Sequence, residues 1–521
     1  MKLPPQSTET QDKTSDDIMT RMQVLLSEKD DIIAKKSDVI SEQQKRIQLL
    51  EEYLRLEKSK RFGRSSEQTP PEQGNLFNEV EVTAEPEQPA VENNATSAKK
   101  GRKPFANNLP RHQVFAYLTD EEKAGAIDTF FVKVREELDI VPAKVQILEY
   151  MQEKAVFVDE NEDRIIKAAV VTKHPVPKAM GSVNLMTYIV ISKYADGLPL
   201  YRLENIVKRY GGDISRATLA NWMIALSKVV QPLINLLRDY QHSGPLIMMD
   251  ETRIQVLKEP SYSSTSKKYM WVSLGGPPTK QSVLFDYDPS RSEEIPLRLL
   301  GDFNNGYLQT DGYAGYNAVC RKNNLTSLGC WDHARRKFKE AQTAQPKGSK
   351  IKATKADMAL SYINNLYLIE REIKSLTDAE KLNTRQQKSV PVLTQLKKWL
   401  DNNRPRTMPD SLTGKAMTYL HSQWPKLTVY STDGQLTISN IMAENAIRPF
   451  AIGRKAWLFS DTPAGANASA IHYSLIETAK LHGLEPYHYL NSLFKALPYA
   501  NTVEDIEALL PWNFKAKSQG S

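Results

Sequence analysis

The sequence is poor in cysteine, with only Cys320 and Cys330 among its 521 residues. Two cysteines are too few for a disulfide framework or a four-cysteine zinc site. The sequence also lacks any run of about 18 or more apolar residues, so no membrane-spanning helix is predicted. Its first stretch, MKLPPQSTETQDKTSDD, has no apolar signal core, which favours a cytoplasmic location.

The residues that are present are typical of a globular protein, with 40% hydrophobic and 25% charged residues. At about 150 residues per domain, the length predicts three or four structural units. The formal net charge of +7 is compatible with a polyanionic partner but does not identify one.

Residues 1–57 contain a long polar helix with an apolar stripe. Its heptad positions are Met19, Leu26, Ile33, Ile40, Ile47 and Leu54, with Met22 and Leu50 at the companion position. This repeat predicts a coiled coil and, through it, a homo-oligomer. Polar companions at Lys29, Lys36 and Gln43 would weaken the pairing or fix its register. A solvated helix docked on its own domain is the alternative.

Residues 58–105 are predicted to be a disordered linker, because an acidic, proline-rich and polar stretch follows a basic start. The basic residues at its start are Lys58, Lys60, Arg61 and Arg64. Its last segment, KKGRKPF (99–105), suits the minor groove of A·T-rich DNA or is a solvated linker end. Residues 106–182 follow as a small mixed domain.

Residues 183–243 are predicted to be helical. The helical run LYRLENIVKRY ends at Gly211-Gly212, and a second run begins after Ser215, a favourable N-cap. This order outlines a helix-turn-helix, with Arg216 as a candidate DNA-binding residue. An ordinary helical hairpin is the alternative.

Residues 244–344 change to strand-like segments: three strands, a helix, a fourth strand and a basic helix. Asp250 lies in the first strand and Asp311 ends the fourth. This layout predicts the first part of a ribonuclease H-like α/β catalytic core, in which those two strands are neighbours. The whole chain is therefore predicted to be a multidomain α+β protein.

The predicted core resumes after a helical insertion at 345–430. Its second part, 431–485, carries Glu444 on a helix, and 486–521 form a C-terminal tail. Asp250, Asp311 and Glu444 make a ligand set for two Mg²⁺ ions, or Mn²⁺, in phosphoryl transfer. Nearby acids compete for these roles: Glu251, Asp286, Asp288 and Asp302.

Basic residues surround the three acids in the sequence. Candidate phosphate-binding residues are Arg335, Arg336, Lys337, Arg448, Arg454 and Lys455. His333 precedes the first group. It is a candidate for contact with the scissile phosphate or for a structural hydrogen bond.

Several long segments resemble transposases of the IS66 insertion-sequence family, in order from about residue 59 to 512. They are SKRFGRSSE, GRKPFANNLPR, ISKYADGLPLYRLENI, SRATLANWM, MMDETRIQVL, LQTDGYAGYN, CWDHARRKFKEA, AENAIRPFAIGRKAWLFS, YSLIETAKLHGLEPYHYL and LLPW.

The resemblance implies a DDE-type transposase whose acidic residues fall on Asp250, Asp311 and Glu444. It implies Mg²⁺-dependent cleavage at the element's terminal repeats, joining of the freed 3′ ends to target DNA, and small accessory proteins as partners. Relatives often carry a cysteine-rich zinc segment after GRKP, but residues 104–160 contain no cysteine, so no zinc is expected there. Apolar packing is expected to hold that region instead.

Two other functions are compatible with the same residues. One is a ribonuclease H-like nuclease without strand transfer. The other is a non-catalytic DNA-binding regulator that uses the helix-turn-helix and the coiled coil.

Overall fold

The computed structural model describes residues 9–62, 111–124, 144–158, 164–345 and 353–514, together with isolated positions between 125 and 143. The predicted linker at 58–105 lies mostly outside these residues, as does its KKGRKPF segment. Among the described helices, none is long and apolar enough to cross a membrane.

The N-terminal helix, α1, spans Glu9–Phe62. It continues past residue 57, so Lys58 and Lys60 lie in its last turns and not in a linker as predicted. The apolar stripe along α1 is exposed over most of its length, with Ile33 63% and Ile40 54% exposed. The helix end is different, because Leu56 is only 6% exposed and packs on the helical insertion.

The region after the linker contains a short helix α2 (Asp120–Lys123) and an antiparallel hairpin of β1 (Lys154–Val158) and β2 (Arg164–Ala168). Apolar side chains here face outward: Val114 is 96%, Ile147 90% and Val170 94% exposed. The rings of Phe115 and Tyr117 nevertheless contact that of Phe131, and the expectation that apolar packing holds this region stays a prediction.

Four helices come next, α3 (Val183–Tyr194), α4 (Leu200–Arg209), α5 (Arg216–Val229) and α6 (Gln231–His242). Ser215 caps α5 as predicted, because its side chain accepts a hydrogen bond from the Thr218 backbone N–H. Gly211 has a φ of 89° in the turn between α4 and α5. The inner side of α5 is buried, with Leu219 and Leu226 fully covered.

The remaining elements alternate between one sheet and helices. The strands are β3 (Leu246–Ile254), β4 (Lys268–Gly275), β5 (Ser282–Asp288), β6 (Tyr307–Gln309) and β7 (Thr326–Leu328). The helices between and after them are α7 (Glu294–Leu300), α8 (Asn317–Lys322), α9 (Trp331–Thr343), α10 (Lys355–Glu372), α11 (Asp378–Thr384), α12 (Val390–Asn403), α13 (Leu412–Leu427), α14 (Ile441–Trp457), α15 (Pro463–Leu481), α16 (Pro486–Ala496) and α17 (Val503–Glu507).

The five strands form a mixed sheet in the order β5-β4-β3-β6-β7. Strands β3, β4 and β5 are antiparallel neighbours, whereas β6 and β7 run parallel to β3. The first and fourth strands of the sheet are therefore adjacent, as the sequence predicts. The protein is a mixed α/β structure with a long N-terminal helix.

Each face of the sheet is covered by its own hydrophobic cluster. On one face, Met248, Val272 and Phe285 pack with α3–α6 and α14–α16. On the other, Met249 and Trp271 pack with α7 and α8. Helices before residue 243 and after residue 485 thus share one core with the strands between them.

The helical insertion has a third cluster, built from α10, α12 and α13 against α9. Trp331 is fully buried there, and its indole N–H donates to the Leu427 carbonyl at 2.8 Å. The insertion is therefore packed directly on the helix that follows the last strand of the sheet.

Candidate active site

Asp250 lies in the middle of β3, where alternate residues face opposite sides of the sheet. Its face is the one that carries Met248 and Ile254, which are buried against the helices that include α14. Glu251 points to the other side, where Arg291 Nε donates to it at 2.7 Å and the Tyr316 hydroxyl at 2.6 Å. The two adjacent acids therefore differ in the face of the sheet on which they lie and in the side chains that they contact.

Asp311 stands beside Asp250 through the parallel pairing of β3 and β6. Met248 pairs with Gln309, so each acid comes two residues after a paired position. The Asp311 carboxylate accepts the backbone N–H of Tyr313 at 2.8 Å, in a tight turn where Gly312 has a φ of 92°.

The insertion also contacts this turn. The Tyr419 hydroxyl of α13 donates to the backbone carbonyl of Asp311 at 2.8 Å. A Cβ added to Gly312 would lie 2.8 Å from the Gln423 side chain, also on α13. The insertion therefore supports the segment that presents the second acid.

Glu444 lies in the first turn of α14 and is 3% exposed. Arg336 of α9 donates to its Oε2 at 3.0 Å. His333, one turn earlier on α9, has its Nδ1 3.5 Å from Oε1. Glu444 is thus held at the junction of the sheet, α14 and α9.

Burial raises the pKa of Asp250 well above its usual range, and the carboxylates of Glu251, Glu444 and Asp311 add to the rise. Burial also raises the pKa of Glu444 to about 7, against the opposing effect of Arg336. Burial, with the nearby positive charges of Arg336 and Lys337, lowers the pKa of His333 to about 3. The site concentrates carboxylates whose negative charge is incompletely compensated.

Asn440 ties the two halves of the site together. It is fully buried, and its side-chain amide donates to the Met249 carbonyl at 3.0 Å, next to Asp250. Its backbone N–H donates to Cys330 Sγ at 3.3 Å, just before α9. Asn440 therefore fixes the start of the Glu444 helix against both β3 and α9.

For the DNA cleavage that the sequence resemblance implies, we expect Asn440→Ala to reduce the rate by about 10–100-fold, the range for a residue that orients metal ligands. The loss should appear in kcat and leave the affinity for DNA unchanged, because Asn440 does not reach the surface. Asn402→Ala, at an exposed amide of the insertion, is the control. An equal slowing in both variants would contradict the positioning role.

The predicted basic residues point in several directions. Arg336 meets Glu444, whereas Arg335 donates to Asn364 of the insertion at 3.1 Å. Lys337 lies over the ring of Tyr419, 4.9 Å from its centre. Arg454 donates to Thr252 Oγ1 at 2.7 Å.

The other predicted cations lie along helix surfaces. Arg448 and Lys455 follow Glu444 by four and eleven residues, which puts them on its side of α14. Arg216 is exposed at the first position of α5. Their DNA-binding role stays a prediction.

The other acids that the sequence offered as metal ligands either pair with arginine side chains or lie exposed in a loop. Arg238 donates to Asp286 at 2.7 Å, and Arg298 donates to Asp288 at 2.8 Å. Asp302 is exposed in the loop after α7. Their surroundings favour structural or surface roles.

Two residues of the site were missed in the sequence. Asn440 carries no local signal, because its partners lie far away in the chain. Cys330 does carry one, since it stands three residues before His333. The Cys330, His333 and Glu444 ligand atoms all lie within 4.8 Å of one another.

Three family models match successive parts of the chain. Residues 178–468 match the family model described as the IS66 transposase family. Residues 474–512 match the IS66 C-terminal element, and 49–114 match a model described as transposase C of IS166 homeodomain.

Curated relatives cover most of the chain. The uncharacterized protein y4qI of Sinorhizobium fredii is 30% identical over 437 residues, which cover 81% of this chain and 79% of the relative. The uncharacterized protein y4jD of the same organism is 30% identical over 467 residues, covering 85% and 88%. Their names state no activity.

Proposed function

Because the chain belongs to the IS66 family of transposases, we propose that it is a DDE transposase that cleaves the ends of its element and joins them to target DNA. The observation that carries this proposal is that Glu444, on a helix, and Asp311, in the turn after the strand next to β3, both add to the raised pKa that burial gives Asp250. Uncompensated carboxylates of this kind are suited to binding divalent cations.

The catalytic unit is proposed to be ribonuclease H-like. The strand order β5-β4-β3-β6-β7, with three antiparallel strands followed by two parallel ones, supports this assignment. The helical insertion between α9 and α14 interrupts the unit and braces the Asp311 turn through Tyr419.

Asp250, Asp311 and Glu444 would hold the divalent ions, with Mg²⁺ or Mn²⁺ preferred because the three donors are carboxylate oxygens. Bound ions there would supply charge neutralisation at the scissile phosphate and activation of the attacking oxygen. The acids fit such ions because burial, and after it the nearby carboxylates, raise the pKa of Asp250, so a bound cation would stabilise the charged form.

Basic side chains of the protein would hold the DNA on either side of that site. Arg448 and Lys455 extend from Glu444 along one side of α14 for about 16 Å, the rise of eleven helical residues. A track of this length matches about five base steps of DNA at 3.4 Å each. Arg216 and the α4–α5 pair would contact the terminal repeat.

Joining is proposed as an in-line transesterification. The freed 3′ oxygen forms a bond to a target phosphorus, and the bond from that phosphorus to the target's own 3′ oxygen breaks. The attacking hydroxyl loses its proton and the departing oxygen gains one. Small accessory proteins of the element are further proposed partners.

The decisive experiment is strand transfer with a labelled, pre-cut terminal-repeat end, a target plasmid and Mg²⁺. We expect wild-type protein to give covalently joined products. Glu444→Gln should retain binding in a gel shift but lose joining by at least about 10²-fold, as expected for one preorganised electrostatic group. The measurement is the yield of label in plasmid DNA.

Two outcomes of this experiment would favour other functions. Cleavage of uncut ends without joining of pre-cut ends would indicate a nuclease. Binding without either reaction, with or without the element's accessory proteins, would favour a DNA-binding regulator.

A further inference from the structure

Three side chains of different ligand chemistry meet at the start of α9. Cys330 directly precedes this helix, His333 lies in its first turn, and Glu444 faces both from α14. One ligand atom from each residue lies within 4.8 Å of the other two. A thiol, an imidazole and a carboxylate suit Zn²⁺ and similar cations better than Mg²⁺, which prefers oxygen ligands alone.

Two polar atoms of this cluster are buried without a hydrogen-bond partner among the described residues. They are His333 Nδ1 and Glu444 Oε1, and they lie 3.5 Å apart. Buried polar atoms normally have a hydrogen-bond partner. Two such atoms that face each other without a hydrogen bond therefore require a physical reason. A cation bound between the two atoms would satisfy both.

The spacing of the cluster fits a tetrahedral ion. Bonds of about 2.0–2.3 Å place the ligands of tetrahedral zinc about 3.3–3.8 Å apart. The His333–Glu444 distance of 3.5 Å already has this value. With every ligand atom within 4.8 Å of the others, the thiol needs to move by no more than about 1 Å.

The surroundings orient the three ligands. Arg336 binds Glu444 through Oε2 and so leaves Oε1 directed at His333. The Asn440 backbone N–H donates to Cys330 Sγ at 3.3 Å and fixes the thiol. The His333 side chain is 20% exposed, which gives an ion access from solvent. Such outer contacts are usual around metal ligands.

We propose that Cys330, His333 and Glu444 bind one thiophilic divalent cation of the Zn²⁺ class. This site is separate from the cysteine-free 104–160 region. Because Glu444 is shared, a cation held here keeps that carboxylate from the Asp250–Asp311 pair and inhibits cleavage. That consequence rests on the proposed function, whereas the binding itself does not.

Cobalt titration of the full-length, metal-stripped protein tests the binding. A cobalt–thiolate bond gives a near-ultraviolet charge-transfer band, which carboxylate-bound cobalt lacks. We expect the wild-type band to saturate at one Co²⁺ per chain and to disappear when Zn²⁺ is added. Cys330→Ser should abolish the band, and His333→Ala should weaken Co²⁺ binding by at least about tenfold.

Cys320→Ser is the matched control, since it removes the other cysteine and should leave the band unchanged. Thermal melting of each variant checks that it is folded. If Cys330→Ser does not fold, the His333→Ala titration decides. The proposal is overturned if wild-type protein gives no band, if the band survives Cys330→Ser, or if His333→Ala binds Co²⁺ as tightly as wild type. No DNA is needed, so these results are independent of transposition.

Discussion

Asp250→Asn is expected to abolish Mg²⁺-dependent cleavage of terminal-repeat DNA, while Glu251→Gln keeps most of it. The two acids are neighbours in the sequence but lie on opposite faces of the sheet. Asp250 shares its face with the Glu444 helix, whereas Glu251 is paired with Arg291 and Tyr316. A loss of at least about 10²-fold is expected for Asp250→Asn alone. Cleavage of labelled DNA measures it.

Thermal stability gives a second readout of the same pair. Without metal, burial and the neighbouring carboxylates disfavour the charged form of Asp250, so removing the ionisable group in Asp250→Asn should raise the Tm. Glu251→Gln weakens the ion pair between the covered Glu251 side chain and the partly exposed Arg291, and also the contact with the Tyr316 hydroxyl, so it should lower the Tm. Calorimetry in EDTA measures both. A lower Tm for Asp250→Asn would indicate a structural acid and contradict the metal-binding role.

The sequence was sufficient to predict that Asp250 and Asp311 are neighbours, because the predicted strand order places their two strands side by side. Once β3 and β6 are adjacent and parallel, Asp250 and Asp311 follow at matching positions. Strand alternation alone could not choose between Asp250 and Glu251, because it does not say which face receives α14; the family resemblance made that choice. Only the packing of Met248 and Ile254 fixes that direction.

The basic run Arg335-Arg336-Lys337 shows why helix residues were harder to assign. Successive residues of a helix point about 100° apart, so three adjacent cations cannot all face one ligand. Arg336 faces Glu444, Arg335 faces Asn364, and Lys337 lies over Tyr419. The basic run in the sequence predicts that positive charge lies near the site. Which of its side chains reaches the site depends on how the helix is rotated about its axis.

The sequence also could not predict which residues are buried by segments that lie far away in the chain. Tyr489 and Leu510, in the segment predicted as a tail, are fully buried in the cluster that contains Leu219 and Met248. Leu56 is likewise covered by the insertion, which lies about 300 residues further along the chain. No local pattern distinguishes these apolar residues from exposed ones such as Leu54.

Replacing Ile33 and Ile40 together by Lys is expected to dissociate an oligomer formed through α1. Both side chains are more than half exposed in the single chain and lie on the heptad stripe. Burying one such side chain contributes about 1.5–3 kcal/mol per helix, so the double change should weaken association by at least about 10²-fold. Sedimentation equilibrium measures the dissociation constant.

The matched control is Ala34→Lys with Ser41→Lys. It adds the same two charges one residue later, on the side of α1 away from the stripe, and should leave the mass unchanged. Substitution is a sharper test than deletion of 1–57. Deletion would also remove Leu56, which is packed on the insertion, and Arg55, whose Nε donates to the Ala344 carbonyl at 2.9 Å. Equal dissociation by both double variants, or a wild-type protein that sediments as a monomer, would contradict pairing through the stripe and favour a helix docked only by its end.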